Sequence, residues 1–318
     1  MADNTSKTNI DISADLVKAL LKDRRRDRFW RNLRFFAGFC LFAFLAFGIF
    51  TSSGPSLSDA EPGAGDGYIA LLRLNGVISP ESSFSAEQVV PLLRQAFADK
   101  DAKGVVLDID SGGGTPVQAS IIHDEILKLK KQYHKKVVVV GEDMLASGAY
   151  FVAVSADKIF VNANTITGSI GVIMSGFGFP DIIKKIGVER RVYAAGDHKD
   201  RLDPFLPPLP DDITKINVVL DEVHNSFIQV VVNGRKDKLA TDTKELFSGD
   251  FWTGQSAVKL GLADGLGDLW DVMNTEFKVS RFKDYSGGSG LGRMLKGQLG
   301  SLMNLPLKSE QMGLFEKF

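Results

Sequence analysis

Four consecutive valines, Val137 to Val140, follow two lysines and run into Gly141. A strand with one wet face alternates apolar and polar residues, whereas an unbroken β-branched run has to be covered on both faces. A second run of this kind, GVVLDID at 104–110, lies one helix upstream. The stretches beside these runs carry helix signals. Ser85 with Gln88 makes a capping box at the head of 85–99, which also holds Pro91, and Pro116 stands in the first turn of 116–133. Further strands are expected at 68–78, over KIFVNA at 158–163 and over ERRVYAA at 189–195. A short apolar helix is expected behind Ser147, a helical turn over DIIKKIG, and a long helix from about Asp211 to Val232. The alternation predicts an α/β fold, a mostly parallel sheet flanked by helices, with no internal repeat.

The 318 residues, 44 % apolar and 24 % charged, suffice for one large globular domain or two small ones. A formal net charge of −1 with no basic stripe in the body argues against nucleic acid as a partner. Cys40 is the sole cysteine, so no intrachain disulfide can form. With His123, His134, His198 and His224 scattered, no metal-ligand spacing arises, and neither metal nor cofactor is expected.

Charge is uneven at the N-terminus. Residues 22–34 hold seven basic and two acidic side chains, and Phe35 to Phe50 hold no charge. Sixteen helical residues reach ~24 Å, to which 51–54 and snorkelling arginines can add. This predicts a transmembrane anchor over 35–54 that meets lipid through Phe35–Phe50, with the basic residues 1–34 cytoplasmic. The rest of the chain would then face the periplasm from a bacterial inner membrane. A spacer over 55–66, a domain over 67–284 and a glycine-rich tail over 285–318 complete the division.

Three loops fall at the carboxyl ends of strands, where α/β sheets place ligands. DIDSGGGTP, 108–116, frees the backbone to turn N–H groups toward one point; it lacks the G-K-[ST] of a phosphate cradle. LASGAYF, 145–151, sets Ser147 where it is either a helix cap or a nucleophile, with the Gly148 N–H available to an oxyanion. Leu145 departs from the G-x-S-x-G elbow. AAGDHKDRLDPF, 194–205, offers His198 and Lys199 as bases, or is simply a solvated charged loop. Lys199 acts as a base only when neutral, which takes burial in a closed apolar cleft. A triad from His198 or His123 finds no fixed carboxylate partner in the sequence.

Taken in order, DIDSGGG, LASGAYFVAVSADKIFVNANTITGSIGVI, AGDHKD and FWTGQSAVKLGLADGLG resemble the signal peptide peptidase A family over roughly 68–275. These are membrane-anchored serine proteases of peptidase family S49, with a Ser-Lys dyad on the Clp protease/crotonase superfamily fold. The resemblance implies Ser147 as nucleophile, Lys199 as general base and Ser169 as the residue that orients the lysine. It also implies an oxyanion hole from Gly114 and Gly148, with Gly113 shaping the turn. Gly112 stands where the family commonly has proline, and Ala149 where glycine is frequent.

The implied activity is serine endopeptidase cleavage of peptide substrates, signal peptide remnants, at the periplasmic face of the inner membrane, by a homo-oligomer, an octamer. Two alternatives are a crotonase-like acyl-thioester enzyme and a non-catalytic membrane scaffold with a protease fold.

Overall fold

The computed structural model describes residues 32–42, 56–57, 67–240 and 245–286. The chain divides into two compact units, Pro55–Ser286 and the remainder, Met1–Gly54 with Gly287–Phe318. The described part of the latter is one helix, α1, over 32–42.

That helix corrects the anchor expected at 35–54. Eleven residues at about 1.5 Å each cover ~16 Å, about half a hydrocarbon core. Its first turn also contains Asn32 and Arg34. Among the described residues no helix is long and apolar enough to cross a membrane. The remainder of the expected anchor, 43–54, lies outside the described residues, as does the tail from 287. The lipid contact through Phe35–Phe50, the inner-membrane placement and the membrane-anchored form of the resemblance therefore lose their support. The homo-oligomer, expected as an octamer, likewise finds no support in the single chain described.

Among the described residues the unit Pro55–Ser286 is built on a nine-stranded sheet: β1 Ser56–Leu57, β2 Tyr68–Asn75, β3 Ala102–Ser111, β4 Lys136–Ala146, β5 Lys158–Val161, β6 Ile166–Gly168, β7 Phe251–Thr253, β8 Gly265–Leu266 and β9 Phe282–Asp284. The order is β1-β9-β2-β3-β4-β5-β8, with β6 paired to both β4 and β7. The pairs β1–β9 and β6–β7 are antiparallel and the others parallel. The sheet is thus mixed but mostly parallel, as expected, with antiparallel pairs only at β1–β9 and β6–β7. The antiparallel pairs are made by strands of two or three residues, too short to leave a periodic signal in the sequence.

The valine runs explain the layering. Successive side chains on a strand point to opposite faces. Val105, Leu107, Val137 and Val139 enter the larger core, against helices α2 (Ala86–Ala98) and α3 (Pro116–Tyr133). Val106, Val138 and Val140 enter a second core with Leu269, Met273, Phe277 and Phe282. Helix α2 starts at Ser85, whose side chain accepts the Gln88 N–H at 3.4 Å, and it accommodates Pro91. Short helices α4 (Gly148–Ala153), α5 (Pro180–Lys185), α7 (Gly254–Lys259) and α8 (Leu269–Val272) and the long α6 (Pro210–Arg235) complete the unit. The strand expected at 189–195 is absent: that stretch is irregular and exposed, Tyr193 at 92 %. It has no neighbouring strand to pair with.

Candidate active site

Strand β4 outruns its first neighbour. It pairs with β5 from Val138 to Gly141 and then with β6 from Met144 to Ala146, so it ends deep in a notch of the sheet. Thr167 Oγ1 donates to Leu145 O at 2.7 Å, and the Ser147 N–H donates to Gly168 O at 2.9 Å. Directly after the strand the chain turns into α4 through Ser147, at φ 53° and ψ −125°. A non-glycine residue in that region is strained, and such strain concentrates at functional turns. Tyr150 fixes the far side of the turn. Its buried hydroxyl donates to Leu262 O at 2.7 Å, and burial raises it above the ordinary phenol value.

The glycine loop after β3 closes on this turn. Its backbone threads against Ile78: the Ile78 N–H donates to Gly113 O at 2.9 Å and the Thr115 N–H to Ile78 O at 2.8 Å. Gly113 and Gly114 have φ of 99° and 155°. A Cβ on Gly114 would lie 2.0 Å from Ile78 O, and one on Gly113 would lie 2.6 Å from Gly148 N and 2.7 Å from Ser147 Cβ. Only hydrogen fits at either position. The Gly113 N–H is taken by Ser111 Oγ at 3.1 Å. The N–H groups of Gly114 and Gly148 have no hydrogen-bond partner among the described residues, and a Cβ on Gly148 would sit 3.2 Å from Gly114 N. Two free amide donors therefore stand beside the Ser147 side chain. At Gly112 a side chain would meet only the tip of Met144, its methyl at 3.2 Å and its Sδ at 3.9 Å. Ala149 is fully buried.

Ser147, Gly114 and Gly148 open onto a cavity of about 250 Å³, walled by Pro116, Ala119, Phe151, Val172, Ile173 and Phe227. These walls come from α3, α4, α6 and the segment after β6, so no local motif could have assembled them. Ser169 follows β6, at φ 50°, with its N–H on Asp250 O at 2.7 Å. It neighbours the Gly168 carbonyl that holds the Ser147 amide.

Lys199 stands apart. It is exposed, in the segment 172–209, and does not line the cavity with Ser147. His198, also exposed, lies 3.1 Å from an Arg201 guanidinium nitrogen. His123 is buried but faces Asp124 Oδ1 at 2.8 Å and packs edge-on against Phe151, behind the cavity wall. His224 Nε2 lies 3.0 Å from Ile170 O. No histidine lines the cavity with Ser147. Among the described residues no group of three or more His, Cys, Asp or Glu could hold a metal ion.

Comparison with known proteins gives the family. The family model described as Peptidase family S49 matches residues 129–280. A "Putative protease slr0021" of Synechocystis sp. is 33 % identical over 205 residues, 64 % of this chain and 71 % of that protein. A "Putative signal peptide peptidase SppA" of Enterococcus faecium is 33 % identical over 232 residues, 70 % of this chain and 67 % of that protein. A Brucella melitensis protein named Na(+)/H(+) antiporter NhaA is 46 % identical over 214 residues, 66 % of this chain, but the chain spans only 29 % of its length.

Proposed function

From the premise that this chain belongs to peptidase family S49, we propose that it hydrolyses peptide bonds with Ser147 as nucleophile and Lys199 as general base. A serine-protease-like hydrolase is what the family supports; the dyad and its geometry are our extension. One observation carries it: Ser147 sits at a strained strand-to-helix turn, facing a cavity, beside the free amides of Gly114 and Gly148. The membrane-face setting and the signal-peptide substrate expected from the sequence are dropped, since they need an anchoring helix absent from the described residues. The antiporter-named relative lends no transport reading, because under a third of its length is matched.

A peptide carbonyl placed over Ser147 would direct its oxygen to the Gly114 and Gly148 amides. Both donors are fixed by backbone, so little reorganisation accompanies the growing negative charge. Ser147 Oγ attacks, its proton passes to neutral Lys199 Nζ, and the same ammonium then protonates the leaving amine. Water, activated by Lys199, releases the acyl group from Ser147. Phe151, Phe227, Ala119, Val172 and Ile173 give the cavity an apolar wall that suits an apolar peptide side chain. Lys199 reaches the nucleophile only if the segment 174–209 folds onto the cavity, which would also supply the dry surroundings a neutral lysine requires. Ser169, next to the Gly168 anchor, is our choice for the residue that orients the lysine amine.

Cleavage of an apolar fluorogenic peptide by wild type and by Ser147→Ala, Lys199→Ala and His198→Ala tests the dyad. We expect loss of at least ~10²-fold for the first two and wild-type kcat for the third. A dead His198→Ala with an active Lys199→Ala would replace the base.

A further inference from the structure

Between Gly141 and Met144, strand β4 has no ladder partner on either side. Toward β3 the register runs to Ile109–Gly141 and resumes at Ser111–Leu145. Toward the other side β5 ends opposite Gly141 and β6 begins opposite Met144. The gap lies just upstream of the two stretches that must keep register for catalysis, the oxyanion loop Ser111–Gly114 and Ser147. Side chains span it. Asp110 Oδ1 accepts the Met144 N–H at 3.0 Å, and Thr165 Oγ1 donates to Glu142 O at 2.7 Å and to Gly141 O at 3.2 Å.

The remaining link is carboxyl to carboxyl. Asp108, only 2 % exposed, pairs with Val140 in the ladder, and Glu142, two residues further along β4, falls on the same face of the sheet and meets it side chain to side chain. Arg73 Nη1 lies 2.5 Å from Asp108 Oδ2, and Asp108 Oδ1 has no partner among the described residues. Arg73 is shared with Asp284, whose Oδ2 lies 3.3 Å from its Nε. The charged groups facing Asp108 are thus Arg73 from β2, Asp284 from β9 and Glu142 from β4. One guanidinium cannot balance three carboxylates when the central one is buried. A proton on Asp108 Oδ1, donated to Glu142, satisfies the orphan atom and removes the repulsion.

We propose that Asp108 and Glu142 share one proton at the edge of this gap and act as positioning residues, holding the oxyanion loop in register with Ser147. The inference rests on the serine-peptidase reading above. Burial first, then the Glu142 carboxylate, raise Asp108 to about 7 against the pull of Arg73. Loss of that proton leaves two like charges in the gap and loosens the oxyanion loop. Lys199 must lose its proton to act while Asp108 must keep its own, so kcat peaks between the two demands.

The test measures kcat and KM for an apolar peptide, and Tm, from pH 4 to 9 on the full chain, using wild type, Asp108→Asn and Asp108→Ala. The Asn amide donates to Glu142 and its oxygen accepts from Arg73, so it imitates the protonated acid at every pH. We expect wild-type kcat to fall as pH rises past ~7, with KM unchanged. Asp108→Asn should lack the falling limb, and Asp108→Ala should lose about tenfold in kcat at all pH values. A falling limb that persists in Asp108→Asn, or wild-type kcat in Asp108→Ala, overturns the proposal. If wild type cleaves nothing, the serine-peptidase reading has failed and Tm decides the pair. The native state then binds the extra proton between the unfolded value of ~3.9 and about 7, so wild type loses stability across that window relative to Asp108→Asn. A Tm difference that does not change with pH overturns the pair.

Discussion

At residue scale the site is made of positions where one atom more or less decides the outcome. Gly114 is the sharpest case, since its φ of 155° and the Ile78 carbonyl together exclude any side chain. Gly114→Ala should therefore displace the loop that holds its own N–H, lowering kcat by ~10²-fold or more and lowering Tm as well. Assay and thermal melt together check this; wild-type kcat would refute the oxyanion role. Ser147→Ala differs in kind. It removes a single hydroxyl, so the melt should stay within a few degrees of wild type while activity vanishes.

At element scale the ends of elements matter more than their middles. Asp99, the residue after α2, accepts hydrogen bonds from Tyr68 (2.8 Å), Lys283 (3.0 Å) and Tyr285, which ties α2 to β2 and to the stretch leaving β9. Burial would raise its carboxyl, but the Tyr285 and Tyr68 hydroxyls and Lys283 hold it well below the usual range. A depressed carboxyl contributes stability above its unfolded value of ~3.9 and loses it as pH falls through the folded one. Asp99→Asn should thus lower Tm at pH 7, with the gap to wild type closing below pH ~4. Ser85→Ala should cost about 1 kcal/mol in urea unfolding by removing the α2 cap. Capping and proline signals placed α2 and α3 from sequence because they are local. The strand expected at 189–195 failed for the opposite reason: alternation alone supplies no partner, and this stretch has none.

At the scale of the whole molecule, two valine-rich strands covered on both faces set the frame, and the reacting groups hang from its carboxyl ends. Ser147, Gly113, Gly114 and Gly148 were legible because each belongs to a short motif behind a strand. Phe227 and Ala119 were not, because a helical stripe does not say which face meets which cavity. Nor was the carboxyl pair Asp108 and Glu142, since only the β3–β4 register brings them side by side on one face of the sheet. The membrane reading rested on the whole uncharged run 35–50, of which the described helix, 32–42, takes in only part and is too short to cross a membrane.

The central claim is that Ser147 is a nucleophile activated by Lys199. Its most direct test is the rate at which an apolar peptidyl phosphonate modifies the full chain, with the adduct located by mass spectrometry. A single adduct on Ser147, slowed at least ~10²-fold in Lys199→Ala and absent in Ser147→Ala, is the predicted result. An adduct on another residue, or labelling of Ser147 at an unchanged rate without Lys199, would contradict it.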